Sequence, residues 1–270
     1  MWLFLFFLYL FQFFGTGFVE SLKFMIMATT NPIPQVAPGQ VRKRNVFDIL
    51  DKFKAEGATG KNFLIRNDFN VPMTAEYEIT DDSRIRGALP TINAILSANH
   101  NCILMSHMGR PKKVQKGEDE DGKERADLTL KHVVNRLSQL VGRPVLFAED
   151  CIGPKAEEAV AALPKEGGAV LLLENLRFHK QEEKNDEAFA KALASLGDAY
   201  VNDAFGTCHR AHASVSGVPA LMSKELCGVG CLVASEVAYL DFSNRGENEK
   251  VAASKWRYSF KVWHKLKNIS

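Results

Sequence analysis

Residues 169–179 read AVLLLENLRFH: five apolar residues in unbroken succession, then an abrupt change to polar and charged side chains. A strand with one wet face alternates apolar and polar residues. An unbroken apolar run therefore marks a strand buried on both faces, the habit of parallel sheets covered by helices. The pattern repeats outward, with NFLI (62–65), CILM (102–105) and VLF (145–147) upstream and AYV (199–201) downstream. Between them lie segments of helical period: RIRGALPTINAILSAN despite Pro90, LTLKHVVNRLSQLVG, PKAEEAVAAL with proline in its first turn, and NDEAFAKALASLG. Before the first strand, VFDILDKF sets Val46, Ile49, Leu50 and Phe53 on one helical face. The alternation predicts an α/β fold over residues 45–222, a doubly wound, mainly parallel sheet with helices on both faces. The charged stretch KKVQKGEDEDGKERAD (112–127) reads as a loop, its acidic run 118–121 as solvated.

A chain of 270 residues with 46% apolar content can bury a proper core in one large domain or two smaller ones. With 34 Lys+Arg against 32 Asp+Glu, the bulk charge points to no nucleic acid and no acidic partner, so any basic site must be local. Five scattered cysteines without a CxxC pair suggest neither a disulfide framework nor a zinc knuckle.

Both ends depart from this pattern. Residues 1–24 form a hydrophobic leader without the usual basic flank, which reads as a signal, an anchor or a non-native start. Residues 25–44 read as a flexible arm, and 223–243 as a helical segment. The stretch 244–270 carries seven Lys+Arg against two Asp+Glu, interleaved with Trp256, Tyr258, Phe260 and Trp263, the make-up of a membrane- or partner-binding tail. A cytoplasmic location fits the cysteine usage. An organelle or secretory route applies if the leader is a true signal, and membrane contact only if it is retained.

Open parallel sheets bind ligands beyond the carboxyl ends of their strands, where loops and helix N-termini gather. There the sequence offers Arg66, Asp68 and Asn70 after NFLI, and Ser106, His107, Gly109 and Arg110 after CILM. It offers Glu174, Arg177 and His179 after AVLLL, and Asp203, His209, Arg210 and His212 after AYV. A single arginine at such a place is more often a surface charge. An arginine at each of four strand ends is a different matter, because unpaired guanidinium groups gathered in one crevice repel, and a multiply charged anion is their natural partner. Cys208, His209 and His212 can supply metal ligands, but Arg210 among them would repel a cation, and no second ligand pair follows. No metal site is expected, and no nucleotide site either. GATGKN (57–62) lacks the P-loop spacing, ends in Asn62 rather than Ser or Thr, and leads into a strand.

Taken together, RNDFNVPM, SRIRGALPTI, LMSHMGRP, LLENLRFH and YVNDAFGTCHRAHASVSGVP resemble the N-terminal half of the phosphoglycerate kinase family, over about Lys61 to Leu240. Asn67 and Met108 stand where other aliphatic residues are usual, and Cys208 where a small one is. The resemblance implies reversible phosphoryl transfer between ATP and the carboxylate of 3-phosphoglycerate, giving ADP and 1,3-bisphosphoglycerate, with Mg2+ accompanying the nucleotide. It implies a monomer in which one domain holds the phosphoglycerate, a second holds the nucleotide, and a hinge closes the two.

Carried onto this sequence, the resemblance puts Asp68, Phe69 and Asn70 at the glycerate portion, with Arg66 bordering it. His107, Arg110, Arg177 and Arg210, helped by His209 and flanked by Ser106 and Gly109, would grip the 3-phosphate. Arg84, preferred to Arg86 because the family sets arginine directly before isoleucine, would stand where phosphate is transferred. Glu174 and Asp203 are expected to orient arginines. The family's nucleotide loops do not follow KELCGVGCLVASEVAYLDF, so the chain is expected to hold phosphoglycerate without ATP and without turnover. The alternative is a non-catalytic anion-binding module recruited by its basic tail.

Overall fold

The computed structural model describes residues 43–240, so the leader, nearly all of the arm and the basic tail lie outside the described residues. The expected strands form, as β1 (Asn62–Arg66), β2 (Asn101–Met105), β3 (Val145–Ala148), β4 (Val170–Leu173) and β5 (Ala199–Asn202). A sixth, β6 (Cys227–Val229), completes a sheet of order β3-β4-β2-β1-β5-β6 in which every pair is parallel. All carboxyl ends therefore open on one edge of the sheet.

Burial follows the reading of AVLLL. Every residue of Val170–Leu173 and of Asn101–Met105 is buried, because helices cover both faces. One face sets Leu64, Ile103, Leu171, Leu173 and Tyr200 against Ala156, Phe189, Leu193 and Val218. On the other, Phe53 meets Phe63 edge-on, and the helix Ser83–Ser97 lies over β2, its Ile92 carbonyl 3.7 Å from Cys102 Sγ. Pro90 is exposed on that helix, which stays continuous around it. Leu146 in the edge strand β3 is 46% exposed, an apolar residue that only an edge leaves partly uncovered.

Two expectations are corrected. The sheet does not end at 222. Residues 223–243, read as helical, contain β6 before the helix Cys231–Leu240 begins, and β6 pairs with β5 while Val229 takes the Arg44 carbonyl at 3.0 Å. Three residues with a central glycine, CGV, carry too little pattern to announce a strand. The loop 112–127 holds two short helices, Lys112–Lys116 and Lys123–Asp127. Its acidic residues act as caps: Asp119 accepts from the amides of Glu124 and Arg125, and Glu124 from that of Val114, at 2.8–2.9 Å. All five cysteines are free thiols. Among the described residues no helix is long and apolar enough to cross a membrane.

One residue works against the core. Asn67, just past β1, is fully buried, and neither its amide nitrogen nor its side-chain oxygen finds a partner. A buried amide left unsatisfied costs about 1–3 kcal/mol, which an aliphatic side chain avoids. Asn67→Val is expected to raise stability in urea unfolding by about that amount. An unchanged or lowered midpoint would show that Asn67 is satisfied in solution.

Candidate functional site

The four strand ends singled out in the sequence belong to β4, β2, β1 and β5, which are consecutive neighbours in the sheet. Their side chains meet. Arg66, at the last position of β1, is 1% exposed and forms the floor. Its Nε donates to Ser214 Oγ at 2.9 Å, one Nη to the Asn67 carbonyl, and the other approaches His107 Nδ1 at 3.2 Å. A guanidinium only donates, so His107 Nδ1 accepts and the imidazole carries its proton on Nε2.

Arg177 is the second buried cation, placed by a short helical turn whose Asn175 accepts from the Arg177 amide at 3.0 Å. One Nη donates to the Gly109 carbonyl at 2.7 Å. Its Nε is buried 3.6 Å from Glu183 Oε1, too far for a hydrogen bond, and meets no other acceptor. Burial lowers the Arg177 pKa, and the nearby charges of Arg210, Arg66 and Arg110 lower it further, against the opposing pull of Glu183. Gly109 is in the left-handed region with φ 58°, which favours glycine, and a Cβ there would lie 2.6 Å from Leu128 Cδ2, which would have to move.

At the rim Asp68 receives Arg84 at 2.6 Å, whereas Arg86 turns away to Asp82 at 2.8 Å. Asn70 Oδ1 accepts from the Gly109 amide at 2.8 Å, tying the loop after β1 to the loop after β2. Arg210 donates to His209 Nε2 at 3.2 Å, and Arg110 is exposed. The arrangement is a buried cationic floor with an arginine- and carboxamide-bearing rim, built to receive an anion.

Several expected residues have other places. Phe69 and Ser106 are fully buried, with the Phe69 amide donating to Ser106 Oγ at 2.8 Å, so they brace the loop behind the crevice. Glu174 and Asp203 orient no arginine. Glu174 accepts from the Thr129 hydroxyl and the Leu130 and Asn175 amides, and Asp203 from the Leu232 and Val233 amides at the start of the last helix. A Cβ at Gly230 would stand 2.3 Å from Asp203 Cγ, so the approach of that helix needs glycine. Cys208 Sγ faces backbone and Asn202, and His209 faces Arg210, so the cysteine–histidine cluster does not converge as metal ligands. His179 leaves the crevice for Asp150 at 2.7 Å; with Cys151 they bring possible ligand atoms within 4.8 Å, but the imidazole and carboxylate already satisfy each other and Cys151 is buried with its thiol pushed up. Two residues absent from the expected set, Glu182 and Ser214, lie at the heart of the site: Ser214 Oγ donates to Glu182 Oε1 at 2.6 Å, and its amide to Oε2 at 2.9 Å. A buried arginine demands a buried carboxylate, and that demand is the signal by which Glu182 was findable.

Burial, followed by the charges of Arg66 and Arg177, pushes the His107 imidazole down to about 2; burial and the same two arginines push His212 down to about 4. In the unfolded chain a histidine titrates near 6.5. Below that pH the unfolded state holds protons that the folded state refuses, so stability falls as the pH drops. Asp203, raised to about 6 by burial, opposes this, because its folded state keeps a proton that the unfolded state loses above about pH 4. His107→Gln removes one refused proton and leaves Asp203 untouched. Its stability should therefore fall less steeply between about pH 6 and pH 5, by about 1.4 kcal/mol per pH unit, in urea melts. Parallel curves for the two proteins would mean that His107 titrates normally.

Comparison with known proteins agrees with this architecture. The sequence model of the phosphoglycerate kinase family matches residues 53–253. A phosphoglycerate kinase of Synechococcus sp. (strain JA-2-3B'a(2-13)) is 50% identical over 194 residues, covering 72% of this chain and 46% of the relative. One from Chloroherpeton thalassium is 51% identical over 181 residues, covering 67% of this chain and 42% of the relative. The solved phosphoglycerate kinase of Coxiella burnetii superposes with TM-score 0.58 at 35% identity, over 70% of this chain and 44% of that one. That of Pyrococcus horikoshii OT3 superposes with TM-score 0.59 at 28% identity, over 71% of this chain and 45% of that one. The chain spans just under half the length of these relatives, and within that span motif, fold and sequence agree: it belongs to the phosphoglycerate kinase family.

Proposed function

We propose that this chain carries the acid-substrate half of a phosphoglycerate kinase and gives no turnover alone: 3-phosphoglycerate sits in the crevice at the carboxyl ends of β4, β2, β1 and β5, within a substrate-binding region spanning residues 45–240. The observation that carries this reading is Arg177: a buried guanidinium whose Nε has no hydrogen-bond acceptor, its pKa lowered by burial and by three neighbouring arginines that the charge of Glu183 only partly offsets. Such a group is stabilised by an anion that takes its free donor and offsets the repulsion.

In this reading Arg177, Arg210 and Arg110 hold the 3-phosphate with His209, and the Nε2–H of neutral His107 donates to the same end of the molecule. Asp68 and Asn70 accept from and donate to the glycerate hydroxyl region, with Arg66 beneath. The carboxylate then points toward Arg84, whose side chain is 48% exposed and held by Asp68. Phosphoryl transfer joins a carboxylate oxygen to the γ-phosphorus of ATP as the bond to the β-bridging oxygen breaks and ADP leaves. The fixed charge of Arg84 stabilises the equatorial oxygens of the group in flight, the main help a protein gives this reaction.

The nucleotide and its Mg2+ are substrates that the described residues are not assigned to hold. GATGKN runs into β1 rather than a helix, and a Cβ on Gly60 would overlap the Lys165 carbonyl at 1.7 Å, so that loop is packed against protein.

Titration calorimetry of the full chain with 3-phosphoglycerate tests the crevice. Binding is expected to weaken with added salt. Arg177→Ala and Arg210→Ala should each cost about 1.5–3 kcal/mol for a lost charge-assisted bond. Unchanged affinity in both variants would reject this crevice as the phosphoglycerate site.

A further inference from the structure

The buried floor of the crevice depends on residues that touch no substrate in the reading above. Glu182 is 1% exposed and lies on the short helix Lys180–Lys184 that follows β4, while Ser214, fully buried, lies in the turn Ala213–Gly217 beyond β5. Both carboxylate oxygens of Glu182 are used by that serine, one by its hydroxyl at 2.6 Å and one by its amide at 2.9 Å. The serine backbone is held in turn by the Tyr200 hydroxyl, which donates to the Ser214 carbonyl at 2.7 Å. With its proton committed to Glu182, the Ser214 oxygen has a lone pair free, and it accepts from Arg66 Nε at 2.9 Å. Arg66 then reaches His107 Nδ1 at 3.2 Å. Other charged or titratable groups facing this line include Arg177 and Arg84, whose charges act on His107; His212, with Nδ1 3.7 Å from Glu182 Oε1; and Asp68, with Oδ1 4.0 Å from His107 Nδ1.

We propose that Glu182 and Ser214 are positioning residues for the phosphoglycerate site. Through Arg66 they fix His107 as the tautomer whose Nε2–H is free to donate to the bound anion. The inference rests on the reading of the crevice as that site. Its physical basis is an order of hydrogen-bond roles that runs one way only. The carboxylate accepts, so the hydroxyl must donate to it; the hydroxyl oxygen must then accept from the guanidinium, which can only donate; and the imidazole nitrogen facing the guanidinium must accept. The guanidinium donates in any case, so Glu182 and Ser214 act by holding Arg66 where its Nη meets His107 Nδ1. Glu182 also supplies the negative charge that buried Arg66 needs, across one hydroxyl rather than by direct contact, which leaves the Nη groups of Arg66 to the Asn67 carbonyl and to His107.

The test uses the full chain and two readouts. Long-range proton–nitrogen NMR of the imidazole ring reports which His107 nitrogen carries the proton, and calorimetry reports affinity for 3-phosphoglycerate. In the unaltered chain the Nε2–H form is expected alone. Ser214→Ala and Glu182→Gln should give a mixture of the two tautomers and weaken binding on the order of tenfold. Glu182→Gln keeps the size of the side chain but removes its charge and one of the two acceptor oxygens that Ser214 uses, so it disturbs the same line and supplies the result if the alanine variant does not fold. A single Nε2–H tautomer together with unchanged affinity in a folded variant would overturn the inference while leaving the crevice reading intact. Failure of the unaltered chain to bind 3-phosphoglycerate would overturn the crevice reading and this inference with it.

Discussion

A guanidinium buried to 1% exposure, that of Arg66, is the constraint around which this end of the molecule is organised. An ion so far from water is tolerated only when its charge is balanced and its donors are met. The groups that meet it come from every neighbouring strand end: Asn67 after β1, His107 after β2, Glu182 after β4 acting across Ser214, and Ser214 itself after β5. One hydrogen-bonded line therefore fastens four segments that are up to 148 residues apart in sequence. The sheet brings them near, and Arg66 sets their distances.

The same arrangement decides the electrostatics of the crevice. Burial, reinforced by the charges of the buried Arg66 and Arg177, holds His107 and His212 neutral at ordinary pH. A site with two permanent buried charges and neutral histidines beside them is held positive by groups that do not titrate there. The histidines then add directed N–H donors without adding repulsion. Arg84 and Asp68, paired at 2.6 Å near the surface, are more exposed than the floor and gain less from their pairing. The last helix is coupled to the same region, because Asp203, directly after β5, receives its first amides.

Much of this was legible in the sequence. Unbroken apolar runs such as AVLLL announced strands covered on both faces, and the rule that parallel sheets bind at their carboxyl ends located the cationic crevice from Arg66, His107, Arg177 and Arg210. What escaped reading was either too short or dependent on partners. CGV carries no usable period. The acidic run 118–121 is largely exposed as read, but the helices on either side of it escaped, because a cap such as Asp119 or Glu124 is defined by the amide it meets, not by its own identity. Phe69 and Ser106 travel with their motif but point inward, and Glu174 and Asp203 bind backbone amides from distant segments. Glu182 sits in QEEK, which reads as a surface helix until a buried arginine is known to require it. Asn67, fully buried without partners, was visible in the sequence as an unusual residue, though its cost was not.

The central claim is that four consecutive strand ends form one preorganised anion site. Amide NMR of the full chain during titration with 3-phosphoglycerate tests it most directly. The shifted signals are expected to cluster in the segments following β4, β2, β1 and β5, including Arg66, His107, Arg177 and Arg210, while β3 and β6 stay quiet. Saturable binding with shifts confined to the opposite edge of the sheet, or to one strand end alone, would contradict it.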